Sequence, residues 1–205
     1  GSIMSRKVFL ILGIFILSSG LSFILYSFLQ MKSNEEAENE ALEKAKASIM
    51  ENSSVHKSSE PISSAHTSID YHFEKGDVIG VLQIPRLERD VAIIEGTDGE
   101  ELKKGVGHYS STSLPEQKDQ IFLAGHRDTV FRNIGELQHG DILSIVMPTG
   151  TYSYEIFKTY IVDENDTSVI RATRPEEILT LSTCYPFTIL GPSTERYIIE
   201  AKRIH

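Results

Sequence analysis

Between Val8 and Leu29 the chain carries no charged residue, and Ile, Leu and Phe dominate the stretch. Nothing else in the sequence restricts the fold so strongly. About 20 apolar residues at 1.5 Å rise span a hydrocarbon core of roughly 30 Å. In lipid such a segment is stable as a helix, whose backbone groups satisfy one another. A helix packed in a soluble core keeps its apolar residues on a stripe, whereas here they surround the axis. A cleaved secretory signal is the competing reading, because Ser18-Ser19-Gly20 are small. The apolar run continues past them from Leu21 to Leu29, which favours an uncleaved anchor. Arg6 and Lys7 precede the span, and Glu35, Glu36, Glu38 and Glu40 follow it beyond Lys32. That bias predicts a single-pass membrane protein with its N-terminus in the cytoplasm and everything after Met31 outside. Gly1-Ser2-Ile3 ahead of Met4 reads as a cloning remnant, so residues 1–7 comprise that remnant and the cytoplasmic N-terminus.

Residues 30–72 are polar and rich in Glu, Ser, Lys and Ala. Spacing over Glu35–Met50 predicts a helix. Asn52–Ser68 is Ser-rich and has no apolar face, so this tether is expected to be loose there and to add nothing to a core. Residues 73–205 are enough for one domain of ordinary size. A formal net charge of −9 repels polyanions and argues against a nucleic-acid partner.

Within 73–205 the pattern reads as short strands. They run over Val78–Ile84, stopping at Pro85, then Val91–Ile94 and Gln120–His126. Asp141–Met147 and Thr151–Ile156 flank a turn at Pro148-Thr-Gly150. Tyr160–Val162, Ile178–Cys184 and Arg196–Ala201 complete the set. A short helix starts at Thr97 or Asp98 and ends at Gly105. The Ile121-Phe-Leu-Ala124 run has the character of a strand buried on both faces. So many short strands with little helix predict an all-β barrel or sandwich. Alternation assigns Tyr197, Ile199 and Ala201 to the core, turning Arg196 outward. In Ile178–Cys184 the more polar face carries Thr180, Ser182 and Cys184.

Cys184 is the only cysteine. Outside the cell it has no internal disulfide partner, and structural zinc sites recruit several cysteines. It is therefore either a small buried hydrophobe or a nucleophile. Attack by a thiol on a carbonyl needs a proton donor for the leaving amine and positive charge or N–H dipoles for the oxyanion. His126, just after a buried strand, is the best donor candidate, and Arg196, heading the last strand, the best cation. Periodicity alone does not show that the three converge. No His, Cys, Asp and Glu cluster has metal-ligand spacing, and no phosphate-binding glycine loop is present.

Thr180-Leu-Ser-Thr-Cys184 resembles the Thr-Leu-x-Thr-Cys signature of sortases, the membrane-anchored cysteine transpeptidases of Gram-positive bacteria. Ala124-Gly-His126-Arg is similar to the family's histidine segment, and Arg196 to its arginine. Gly105-Val-Gly-His-Tyr109 followed by Ser113-Leu-Pro115 also looks like the family, and Cys184-Tyr-Pro-Phe187 looks most like its class D branch. Glu116 departs from it, since relatives often carry Gly there, which puts the geometry of that turn in question. The resemblance implies an eight-stranded sortase-like β-barrel with short helices, and catalysis by Cys184, His126 and Arg196. It places Thr183, Tyr185 and His108 in the substrate-binding and oxyanion surroundings. It implies secreted proteins bearing a Leu-Pro-x-Thr-Gly-like sorting signal as substrates, and an amine of peptidoglycan or its lipid-linked precursor as acceptor. No cofactor is expected. Some members use calcium held by loop carboxylates; Asp163-Glu-Asn-Asp166 could bind it, and a solvated turn is the preferred reading of that loop.

Two other functions compete. A membrane-tethered cysteine hydrolase would use the same three residues with water as acceptor. A non-enzymatic extracellular β-barrel binding module would keep Cys184 buried, and mild alkylation separates that case.

Overall fold

The computed structural model describes residues 2–55, 71–188 and 191–204. Most of the Ser-rich segment expected to be loose lies outside them. Helix α1 (Ser2–Val55) contains the apolar span, whose large side chains from Val8 to Leu29 are exposed on all sides. Among the described residues this is the one helix long and apolar enough to cross a membrane. The chain divides into two compact units, residues 1–37 and 38–205.

The second unit contains eight strands closed into a barrel. In chain order they are β1 (Val78–Ile84), β2 (Arg89–Glu95), β3 (Val106–His108), β4 (Gln120–Ala124), β5 (Ile142–Met147), β6 (Gly150–Asp163), β7 (Ile178–Tyr185) and β8 (Glu195–Ile204). Around the ring the order is β1-β2-β3-β4-β7-β8-β6-β5, and β5 returns to β1. β2 with β3 and β4 with β7 pair in parallel, and every other neighbour is antiparallel. One core fills the interior, including Leu82, Ile93, Ile121, Leu123, Tyr154, Leu179, Leu181 and Ile199.

The count of eight agrees with the sequence reading, but two elements differ. Thr151–Ile156 and Tyr160–Val162 are one strand, β6, interrupted by a bulge against β8 at Phe157. Val106–His108, outside the strands read from the sequence, is β3, a strand too short to show a period of two. The predicted helix is a single turn, α2 (Gly99–Leu102), with Asp98 at its N-cap. The Asp98 carboxylate pairs with Lys75 and does not cap the helix.

The helical part of the polar segment also contributes packing that its composition hides. Ala41 and Ala45 of α1 are buried against Ala92 and Ile94 on the outer face of β2, with Lys46 paired to Asp90 at 3.6 Å. Two small residues one turn apart let the helix backbone approach the sheet closely, so no large apolar stripe is needed.

Candidate active site

β4 and β7 run parallel, with Ala124 opposite Ser182, and Gly125 N–H donates to Ser182 O at 3.0 Å just beyond that pair. His126 and Cys184 each follow two residues later. They leave the same end of the barrel on neighbouring chain segments, about 4.8 Å apart where they last pair. β7 and β8 are antiparallel, and Cys184 lies directly opposite Arg196. The topology thus places Cys184 on β7 opposite Arg196 on β8, with His126 two residues past the end of β4 on the other side of β7. Inner positions Leu179, Leu181, Ile199 and Ala201 belong to the main core. The alternate positions Cys184 and Arg196 face outward and are half-buried, and His126 is exposed.

The neighbourhood of each residue is built from local contacts. Thr183, on the inward face of β7, is buried and donates its hydroxyl to Gly125 O at 2.7 Å. Its side chain therefore ties Cys184's neighbour to the backbone before His126. Gly125 is required there, because a Cβ would stand 2.7 Å from both Phe131 and Val130. The Arg196 guanidinium donates to Ser193 O and Glu195 O, each at 3.0 Å, and to Glu164 at 3.3 Å. Tyr185 stacks on Tyr197 at 6.2 Å and meets Phe187 edge-on at 5.2 Å. Arg127 donates to Pro186 O at 3.0 Å and Gly191 O at 2.8 Å, bridging the segments after His126 and Cys184. Sequence reasoning gave no role to Arg127 and read Glu164 only as part of the Asp163–Asp166 turn. Their partners lie far away in sequence, and no local pattern announces them.

Outward-facing Phe122, Ile198 and Glu200 are nevertheless buried, because Val169, Ile170 and Arg171 of the segment 164–177 pack on them. Protein groups order that cover. Gln120 donates to Val169 O at 2.8 Å and accepts from Arg171 N–H at 2.8 Å. Asp119 accepts from Thr173 N–H at 2.7 Å and Arg174 at 2.6 Å. Glu200, 1% exposed, pairs with Arg171 at 2.7 Å and accepts from Tyr160 at 2.9 Å. Burial pushes the Glu200 carboxyl up, but Arg171 and Tyr160 outweigh it and hold it below its ordinary value. The Tyr160 hydroxyl is pushed up to about 12 by burial and by Glu200. At the head of the segment, Asp163 accepts from Asn165, Asp166 from Ser168, and Glu164 turns to Arg196. Among the described residues no three His, Cys, Asp and Glu groups gather at metal-binding distance. Ala124, Val162 and Ile170 are partly exposed at the edge of the covered patch and offer an apolar rim.

His108 sits elsewhere in the network. It is 2% exposed, its Nδ1 lies 2.6 Å from Glu95, and its Nε2 lies 3.0 Å from Ser113 O. Both ring nitrogens are committed within the protein. Burial pushes the Glu95 carboxyl up, and hydrogen bonds from His108 and Ser110 override this and hold it low. The questioned turn has a physical account as well. Glu116 has φ +75°, a conformation natural to Gly. It is held there by its N–H on Glu177 at 2.8 Å and its carboxylate on Arg203 at 3.1 Å.

Comparison with known proteins agrees with this architecture. The sortase domain model matches residues 82–204. Sortase D of Bacillus subtilis (strain 168) is 38% identical over 194 residues, covering 95% of this chain and 98% of that protein. The solved Sortase D5 transpeptidase of Clostridium perfringens superposes with a TM-score of 0.66 at 27% identity, covering 83% of this chain and 99% of that one. A Clostridium perfringens sortase C solved with the C-terminal cell wall sorting motif shares the fold, with a TM-score of 0.59 at 24% identity over 86% of this chain and 96% of that one. The chain belongs to the sortase family and is a cysteine transpeptidase.

Proposed function

We propose that this sortase cleaves a Leu-Pro-x-Thr-Gly-like sorting signal after Thr and joins the released carboxyl end to an amine of peptidoglycan or its lipid-linked precursor. The observation that carries this reading is the register, with Cys184 of β7 opposite Arg196 of β8 and the chain leading to His126 running parallel to β7 on its other side. The Cys184 thiolate attacks the Thr carbonyl carbon, and negative charge develops on its oxygen. Arg196 stabilises that oxygen or grips the substrate backbone with its planar fork of donors. His126 gives a proton to the departing amine, the C–N bond breaks, and a thioester remains on Cys184. The acceptor amine then attacks the thioester, returns its proton to His126 and releases Cys184. One amide replaces another, so no energy source is required. The apolar rim of Ala124, Val162 and Ile170 supports a seat for the Leu-Pro part of the signal. A cleft lined by Arg127, Asp128, Arg132 and Glu136 of the segment after His126 and by Phe187 of the segment after Cys184 offers the acceptor an approach. The charge bias around the apolar helix supports a cytoplasmic N-terminus and an extracellular barrel.

The test is incubation of the protein with a Leu-Pro-x-Thr-Gly peptide, with and without triglycine or diaminopimelate, followed by mass analysis of the products. A Thr–amine conjugate that dominates over the free Thr acid supports transpeptidation. Free acid alone in the presence of amine assigns the chain to hydrolysis.

A further inference from the structure

We propose that Arg127 is a positioning residue that sets the distance between His126 and Cys184 by holding the β7–β8 connection against the loop after β4. The two reactive side chains belong to different segments, and each is followed by irregular backbone. The last backbone ties from this segment to β7 are made at Gly125, whose N–H donates to Ser182 O and whose carbonyl accepts from Thr183, so His126 lies one residue past the sheet. Arg127 immediately follows it. Its Nη1 donates to Pro186 O at 3.0 Å, two residues past Cys184, and its Nη2 to Gly191 O at 2.8 Å. One guanidinium therefore binds both Pro186, just after β7, and Gly191, before β8, and the fork geometry suits two carbonyls. An aromatic contact reinforces it. The Phe187 ring lies over Gly135, where a Cβ would stand 2.5 Å from Cε2, and it packs edge-on against Tyr197 at 5.1 Å. The carbonyls receive charge-assisted hydrogen bonds, which are about twice as strong as neutral ones. Removing the clamp lets the His126 backbone drift relative to Cys184, and a displacement of about 1 Å costs on the order of 100-fold in rate.

The inference rests on Cys184 and His126 acting together, as proposed above. The test uses the full chain in detergent micelles. Arg127→Ala and Arg127→Lys are compared with wild type, His126→Ala and a control, Arg86→Ala, whose own partner is Asp141. Three quantities are measured: kcat and KM for a signal peptide, the pH profile of Cys184 alkylation by iodoacetamide, and the melting temperature. Cys184 is the only thiol, so alkylation reports on it alone. Arg127→Ala is expected to lose about 10- to 100-fold in kcat with KM nearly unchanged. Its alkylation profile is expected to move onto that of His126→Ala. Arg127→Lys, which reaches one carbonyl, falls between, and Arg86→Ala matches wild type. A folded Arg127→Ala with the wild-type alkylation profile overturns the inference, whatever its kcat. If that variant does not fold, the Lys variant decides by the same criterion. If His126→Ala itself leaves the profile unchanged, there is no pair to position and the inference fails. If wild type cleaves no signal peptide, the proposed substrate is wrong, and the alkylation comparison still decides the role of Arg127.

Discussion

Replacing Glu200 with Gln isolates the anchor that holds residues 164–177 over the outer wall. Glu200 is 1% exposed and receives two hydrogen bonds, from Arg171 at 2.7 Å and Tyr160 at 2.9 Å. Gln keeps the shape, and Tyr160 retains a partner by rotating its hydroxyl. The charge-assisted bond to Arg171 is lost. A hydrogen bond to a charged group contributes about 1.5–3 kcal/mol. The Arg171 side chain is 43% exposed and regains water, which places the loss near the lower end, about 2 kcal/mol. For a domain of this size that lowers the melting temperature by about 5–10 °C. The sign with pH is also determined. The folded-state carboxyl lies below its ordinary 4.5, so its stabilisation is complete above that pH and fades as pH falls through the lowered value. Thermal melts of wild type and Glu200→Gln should therefore differ near neutrality and converge in acid. A difference that is absent at neutral pH, or constant down to about pH 3, would refute the anchoring role.

His108→Ala leaves buried Glu95 with Ser110 alone and should cost about 1–3 kcal/mol in chemical denaturation, with peptide turnover of the folded fraction reduced less than tenfold. His126→Ala should do the reverse, losing roughly 100- to 10,000-fold in turnover with little change in stability. Glu116→Gly and Glu116→Ala both lose the half-exposed pair with Arg203, but Gly alone relieves the φ of +75°. The Gly variant should be the more stable of the two by about 1 kcal/mol in urea titration, and the opposite order would remove the strain account. Arg196→Lys keeps the charge and loses the fork, and should lower kcat/KM about 100-fold on a signal peptide.

Face assignments were legible in the sequence where strands alternate cleanly. Tyr197, Ile199 and Ala201 point inward and Arg196 outward, as the period of two requires. The Ile121–Ala124 run was legible for a different reason, its unbroken apolar character. Ile121 and Leu123 enter the core while Phe122 lies beneath residues 164–177. What periodicity does not encode is which strands are neighbours. The level placement of His126 and Cys184 comes from the parallel β4–β7 pairing of segments far apart in sequence. The bulge at Phe157 hid the continuity of β6, because one extra residue inverts the alternation. Ala41 and Ala45 gave no apolar signal, since close backbone approach rewards small size and not hydrophobic bulk. The carbonyl clamp of Arg127 was illegible for a related reason: its acceptors are main-chain atoms, which no residue type marks.

The central claim, that Cys184 carries the acyl group between donor and acceptor, is tested most directly by intact-protein mass measurement. Protein mixed with a Leu-Pro-x-Thr-Gly peptide and quenched in acid should gain the mass of the peptide up to and including Thr. That adduct should map to Cys184, be released by hydroxylamine, and be absent in Cys184→Ala. A folded Cys184→Ala protein that still cleaves the peptide, or an adduct on another residue, would contradict the mechanism.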